Sequence, residues 1–571
     1  MKEFFGGLAM LLAMAVFAVG CWGDSGDDEP KSGERATTSA SGAGAKGGTL
    51  ITLANAAPGG PPDPQVHYTL QLWQFLLVTH DPLVGFKRTG GAEGVKLVPD
   101  LATAIPKPSD DGRTWTFRLR PGVKFSNGKA LSAEDVRATF ERLFKIGTSP
   151  NAGTWYTVIE GGDACFKAPK TCDLSDGIVV SGDSVTFHLT RSDPHFLYKL
   201  AMPFAFILPA DTPAKAVDIP PPGTGPYKWV KYAPQSEMRV ERNPFFKEWS
   251  KDAQPAGLPD AIEQRFGLSV NAEVTQVARG DADWISSTSD PIPPDRLDEI
   301  GTKYADQLHI NPLWATQYFA FNTRIPPFDS LEARQAVNYA ADREALATLY
   351  GGPNLADPTC QVLPPGLPGY KPYCPYTANP EGGKWTGPDM AKARQLIEES
   401  GTKGARVKVN SDTTDVNKAL GLYFVDLLNK LGYEASAQFL APSIQYPYVQ
   451  NSKNKVQFAF SLWSADYPAA SDFLQILLGC ESFHPNSNSS PNIAQFCDKG
   501  IEAQMNKAAA ADLTDPDAAI EMWAEVDRAV TDQAPWVAMF NPKLVDFTSN
   551  RVKGFRFHRQ WGFLLAQASV H

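Results

Sequence analysis

The amino-acid sequence predicts an α/β fold of mixed topology. Two stretches alternate apolar and polar residues as half-buried strands do. In one, Trp115, Phe117 and Leu119 are separated by Thr116 and Arg118; in the other, Val185, Phe187 and Leu189 are separated by Thr186 and His188. Elsewhere apolar residues recur at helical spacing behind capping residues. The clearest case is Ser132-Ala133-Glu134-Asp135, followed by Val136, Phe140, Leu143 and Phe144 on one face. Strands and helices do not alternate in a strict β-α-β rhythm, which argues for mixed rather than wholly parallel sheets.

Taken in chain order, Lys2 precedes an uncharged, mostly apolar run from Phe4 to Val19. This run is too short for a stable membrane span and suits a secretory signal over residues 1–20. Ala18-Val19-Gly20-Cys21 resembles a bacterial lipobox, in which the cysteine is acylated, as by palmitate; Ala18 stands where leucine is usual. Buried acyl chains stabilise membrane attachment by about 0.8 kcal/mol per CH₂, so an acylated Cys21 would anchor an otherwise soluble body. Residues 21–46 are rich in Gly, Ser, Asp and Ala, have little to bury, and read as a flexible tether. After the two strands and the Ser132 helix, a second helix is expected where Asp329 and Ser330 precede Ala333, Ala336, Val337, Ala340 and Ala341. A third is expected from Asp389 through Ile397 and a fourth from Asp517 through Val530.

Cys21 aside, the remaining cysteines are Cys165, Cys172, Cys360, Cys374, Cys480 and Cys497, an even set that favours disulfides in an exported chain. About fifteen pairings are possible in principle. Proximity along the chain suggests Cys165–Cys172, Cys360–Cys374 and Cys480–Cys497, each closing a short loop and contributing roughly 2–3 kcal/mol. Zinc-ligand spacing is lacking, with no CxxC, so no metal site is expected.

Several stretches together resemble the extracellular solute-binding proteins of family 5, the oligopeptide- and dipeptide-binding group. Gly47-Gly48-Thr49-Leu50 leads to Asp63-Pro64. The span from Asp111-Gly112-Arg113 through Val123-Lys124-Phe125 and Asn127-Gly128 into Ser132-Ala133-Glu134-Asp135-Val136 is similar to the family signature, with Asn127 where aspartate is commoner. Gly223-Thr224-Gly225-Pro226-Tyr227, Arg242-Asn243-Pro244, Phe321-Asn322-Thr323, Ala341-Asp342-Arg343, Trp463-Ser464-Ala465-Asp466-Tyr467-Pro468 and Ala534-Pro535-Trp536-Val537 follow in family order. The resemblance implies a bilobed, periplasmic-binding-protein-like fold with mixed sheets, hinged lobes and an extra third subdomain. Residues 47–80 with 206–318 and 533–571 would form the core of lobe I, 81–205 its accessory domain, and 319–532 lobe II. Closure of the lobes would enclose the ligand.

By the same resemblance Asp466 would receive the ammonium group of a peptide, since the aspartate of the matching Trp-x-Ala-Asp-Tyr stretch does so in the peptide-binding branch. The bland alternative is a turn-forming Asp ahead of Tyr467-Pro468. Trp463 would offer a flat face, with Ala465 and Tyr467 beside it; Trp155 and Tyr156 would contribute from the opposite lobe. Pro58, Gly59 and Gly60 follow the first strand, where glycine lets a ligand backbone approach closely. Similar proteins bind oligosaccharides, nickel complexes, haem or opines, so the cargo class stays open between these and peptides.

A net charge of −10 without an offsetting basic block argues against nucleic acid as partner. The sequence carries no GxSxG elbow, no GxxxxGK[ST], no HExxH and no dinucleotide fingerprint in a strand-to-helix context. A binding protein without cofactor is therefore expected ahead of an exported hydrolase. Without an ATP-binding motif, transport energy would come from separate ATPases beneath a permease pair. A monomer at the outer face of the bacterial cytoplasmic membrane is the expected working form.

Overall fold

The computed structural model describes residues 45–147, 150–286 and 292–571. The expected signal segment, Cys21 and nearly all of the expected tether lie outside the described residues.

A twelve-stranded mixed sheet forms the frame. Its strands are β1 (Thr49–Ala54), β2 (Tyr227–Ala233), β3 (Glu237–Arg242), β4 (Ala261–Phe266), β5 (Trp284–Ser286), β6 (Leu308–Pro312), β7 (Ala315–Phe321), β8 (Ala356–Pro358), β9 (Arg406–Asp412), β10 (Glu434–Leu440), β11 (Phe458–Ser464) and β12 (Trp536–Thr548). The order across the sheet is β10-β9-β11-β7-β12-β5-β1-β4-β3-β2, with β6 and β8 also paired to β12. Parallel pairs such as β1–β4 and β9–β10 sit beside antiparallel ones such as β7–β11.

β12 is the long central strand. Its first residues pair with β7, from Ala320↔Trp536 to Gln317↔Phe540, and its last with β5, from Ser286↔Asp546 to Trp284↔Thr548. One strand therefore belongs to both halves of the sheet, and the boundary expected at residue 533 falls just ahead of it.

Helices cover both faces, as alternation along the strands requires. Phe319, Phe321, Phe458, Phe460 and Val537 pack with the helices Leu331–Ala340 and Asp415–Lys430. Tyr318, Ala320 and Trp536, on the other face, pack with Ser471–Leu478, Lys499–Thr514 and Pro516–Asp532. A separate antiparallel three-stranded sheet is built from Thr114–Arg118, Ser184–His188 and Ile178–Ser181. Trp115, Phe117, Val185 and Phe187 point into its core.

The helix starts fall where the caps predict. Ser132 and Asp135 form a reciprocal capping box ahead of Ala133–Lys145, Ser330 Oγ accepts from Ala333 N, and Asp389 Oδ1 accepts from Lys392 N. All three disulfides join the neighbours in sequence: Cys165–Cys172, Cys360–Cys374 and Cys480–Cys497.

One buried ion pair fixes the segment between β1 and the helix Leu70–Thr79. Arg142, on the helix Ala133–Lys145, grips Asp63 at both oxygens, at 3.1 and 2.6 Å. It also donates to Gln65 Oε1 and to the carbonyls of Pro213 and Lys215. Every guanidinium hydrogen is thereby used, which is the condition under which a buried arginine is tolerated.

Candidate functional site

A cavity of about 840 Å³ opens between four parts of the frame. The loop after β1 supplies Asn55, Ala56, Pro58 and Gly59. The start of the first helix supplies Tyr68, Gln71 and Trp73. β7 and the turn before it supply Trp314 and Tyr318, and the end of β11 supplies Ser461 through Asp466. Tyr350, Tyr446, Lys543, Arg559 and Gln560 complete the wall. Its size is that of a small-molecule or short-peptide site.

β11 faces the cavity because of how it is paired. One edge runs along β7 for its whole length, from Phe321↔Phe458 to Ala315↔Ser464. The other edge meets β9 only at Phe458 and Ala459. Among the described residues, no strand pairs with this second edge from Ser461 onward, so it can receive an extended chain through main-chain hydrogen bonds.

Beyond Ser464 the chain turns and is pinned from several directions. Ala465 N donates to Trp314 O at 2.7 Å, and Gln560 Nε2 donates to the carbonyls of Ala465 and Asp466 at 2.6 and 2.9 Å. Asp472 Oδ2, in the first turn of the helix Ser471–Leu478, accepts from Asp466 N at 2.8 Å and from Trp463 Nε1 at 3.2 Å. The Asp466 side chain is buried, and Tyr68 OH donates to its Oδ2. Among the described residues no lysine, arginine or histidine pairs with Asp466.

Burial dominates the electrostatics here. It pushes the Asp466 carboxyl up to about 7, against the opposing hydrogen bond from Tyr68. Asp472 is also raised well above the carboxylate range, first by burial and then by the charge of Asp466. The tyrosines that face Asp466, namely Tyr68, Tyr156 and Tyr467, are all held above the usual phenol range by burial and keep their protons at neutral pH.

Of the residues expected at the ligand, Asp466, Trp463, Ala465, Gly59 and Pro58 line the cavity. Tyr467, Tyr156, Trp155 and Gly60 do not. Tyr467 is buried, stacked on Tyr198 at 5.9 Å and His195 at 5.7 Å, with Trp155 edge-on at 6.0 Å. Tyr156 is fully buried, donates to Lys199 O at 2.7 Å and packs edge-on against Phe140. In both cases the ring buries more apolar surface in the core than at the cavity wall, with a polar partner for the hydroxyl. Tyr68, Trp314, Tyr318, Tyr446, Arg559 and Gln560 have no local pattern that marks them. Tyr68 meets Asp466 across 398 residues of sequence, a separation no motif spans.

A serine, a histidine and an aspartate also converge nearby. Ser471 Oγ lies 3.1 Å from His195 Nδ1, and His195 Nε2 lies 3.0 Å from Asp512 Oδ2. Ser471 is buried and does not line the cavity, so the set ties the Asp466 turn to the segment around His195. Among the described residues, no group of three or more His, Cys, Asp or Glu could hold a metal ion. None of their helices is long and apolar enough to cross a membrane.

Residues 96–484 match the family model described as bacterial extracellular solute-binding proteins, family 5 Middle. The chain is 28% identical over 482 residues to di/tripeptide-binding protein 4 of Pseudomonas aeruginosa (strain UCBPP-PA14), covering 81% of this chain and 84% of that one. It is 26% identical over 475 residues to the glutathione-binding protein GsiB of Salmonella paratyphi A (strain ATCC 9150 / SARB42), with the same coverage. Among solved structures, the clavulanic acid biosynthesis oligopeptide binding protein 2 superposes with a TM-score of 0.82. The two are 23% identical, and the match covers 92% of this chain and 96% of that one; this likeness shows the fold.

Proposed function

Because the chain belongs to the bacterial extracellular solute-binding proteins, family 5, we propose that it captures short peptides and passes them to the permease of an ABC importer with separate ATPases. In this reading it is a monomer, held at the outer face of the cytoplasmic membrane through an acylated Cys21. The observation that carries the peptide reading is a buried carboxylate that no cation pairs among the described residues, Asp466, beside the stretch of β11 that no described strand pairs on its second edge. An α-ammonium group supplies the missing charge, and an extended backbone supplies the missing strand. Aromatic rings on the wall would also suit a sugar, but a sugar offers no charge to Asp466. The names of the relatives, a di/tripeptide- and a glutathione-binding protein, support cargo of a few residues. We take residues 47–80, 206–318 and 533–571 as the core of one lobe, 81–205 as its accessory domain and 319–532 as the other lobe, closing around the cavity. No catalytic role is assigned, since Ser471 and His195, which sit with Asp512 in a Ser–His–Asp set, are buried and do not line the cavity.

Calorimetric titration with di- and tripeptides, an oligosaccharide and a metal chelate tests the assignment. Binding of the peptides alone is the expected result; binding of the sugar or chelate alone would reassign the cargo. Affinity is further expected to depend on pH. The ammonium group binds the ionised carboxyl, which gains a proton as pH falls through about 7. Peptide affinity therefore falls toward tenfold per pH unit below that point and levels off above it, until the ligand amine loses its own proton near about 8. A flat profile between pH 5 and 7.5 would remove Asp466 from the ligand contact.

A further inference from the structure

The chain that leaves the cavity at Asp466 runs directly into the residues around His195. Tyr467 shares an apolar cluster with Trp155, Phe187 and Phe196 and is stacked on Tyr198 and His195. His195, 5% exposed, bridges two helices: its Nδ1 lies 3.1 Å from Ser471 Oγ and its Nε2 3.0 Å from Asp512 Oδ2. At the rim Arg191 pairs with Glu481 at 3.3 Å, and a Cβ on Gly112 would come 3.3 Å from Leu513 Cδ1. In each of these contacts one partner lies in residues 81–205 and the other in residues 319–532. In the proposed division they therefore form a seam from the accessory domain to the facing lobe.

Each half of the histidine bridge is set from its own side of the seam. Asp193 Oδ1 accepts from His195 N at 3.1 Å, while its Oδ2 pairs with Lys199 at 2.5 Å. Across the seam, Asp512 Oδ2 also accepts from Trp523 Nε1 at 3.0 Å. A carboxylate only accepts, so Nε2 carries the imidazole hydrogen toward Asp512 and Nδ1 accepts from the Ser471 hydroxyl. Both ring nitrogens are then satisfied with the ring neutral. Parting the seam returns these polar groups to water, where each finds partners, so the bridge opens at modest cost. The rings of Tyr467 and Trp155 lose apolar surroundings when it opens, which favours closing again.

We propose that residues 81–205 act as a clasp for the closed, ligand-loaded form, with His195 as its bolt. Tyr467 and Ser471 follow Asp466 by one and five residues, so the clasp engages only when the Asp466 turn and the accessory domain are together. It thereby sets how long a captured ligand is held. The inference rests on the reading of two lobes that close around the cavity, and it holds whatever the cargo.

The first test uses the full chain with Arg191→Cys and Glu481→Cys, at two rim side chains that are 72% and 75% exposed. A short bis-maleimide then tethers the seam. Small-angle scattering of the empty protein is expected to give a smaller radius of gyration after tethering than before. An unchanged radius would overturn the clasp for any cargo. Tethering before trialanine is added should block its entry, and tethering after loading should block its release. In stopped-flow kinetics, His195→Ala should release trialanine about 5- to 100-fold faster, the range for buried hydrogen bonds left unmade. Its association rate and the melting of its empty form should match the wild type, because the seam is open without ligand. Arg191→Ala, at an exposed pair, should change release no more than about fivefold. Wild-type release from His195→Ala, or an empty variant that melts well below the wild type, would mark a permanent packing contact and overturn the clasp. If the wild type binds no trialanine or other short peptide, the peptide reading falls and the scattering alone decides the clasp.

Discussion

Asp466→Asn is expected to weaken peptide binding at least about 30-fold while leaving the empty protein as stable as the wild type, or more so. Removing one member of an enclosed, hydrogen-bonded charge pair costs about 2–5 kcal/mol, because the other charge is left buried without its partner. Here the stranded charge would be the ligand's ammonium. The empty protein responds in the opposite sense. With its carboxyl raised to about 7 from an ordinary value of 3.8, folded Asp466 holds a proton between pH 4 and 7 that the unfolded chain has released. Stability from this group therefore falls as pH rises through that window, and asparagine removes the dependence. Paired measurements decide the matter: calorimetry with a tripeptide, and thermal melting of the empty protein at pH 5 and pH 8. A variant that binds as tightly as the wild type, or one that melts far earlier at pH 8, would place Asp466 in a structural role.

The second large effect falls on stability. Arg142→Ala is expected to destabilise the fold by about 3–5 kcal/mol, because it leaves the Asp63 carboxylate buried with no cation. Asp63 is fully buried and Arg142 nearly so, so solvent cannot substitute. The loss should appear as a lower urea midpoint with an unchanged slope. Combining it with Asp63→Asn should recover part of the loss, since the stranded charge is then gone. An equal midpoint for Arg142→Ala and the wild type would mean that the pair is neutral in this fold. Since the pair anchors the segment that carries Tyr68 and Gly59 to the cavity, peptide affinity should fall with it.

What the sequence discloses here is governed by distance along the chain. Trp115 and Phe117 are buried in a strand because alternation is a property of neighbours, and Ser132 and Asp135 cap a helix three residues apart. The disulfides join cysteines no more than 17 residues apart, so proximity suffices to pair them. The order of strands is another matter, since β1 lies between β4 and β5, more than two hundred residues away. The site divides the same way. The Trp463–Asp466 stretch is contiguous and visible as a motif, whereas Tyr68, Trp314 and Gln560 reach it through contacts that only the fold creates. Tyr156 and Tyr467 show the complementary limit: an aromatic next to a functional stretch reads the same in sequence whether its ring meets the ligand or the core.

The position of β12 also bears on how such a chain is made. It is the partner of β5, β6, β7 and β8, all of which leave the ribosome at least 178 residues earlier. Until Trp536–Thr548 emerges, each of those strands has an edge waiting for a partner, and such edges invite pairing between chains. Neither half of the sheet can be completed during synthesis, so assembly is confined to the moment when the last strand slides between them. A nascent chain of this design depends on being shielded until then, and a transcript truncated ahead of Trp536 would yield aggregating protein rather than a smaller working one.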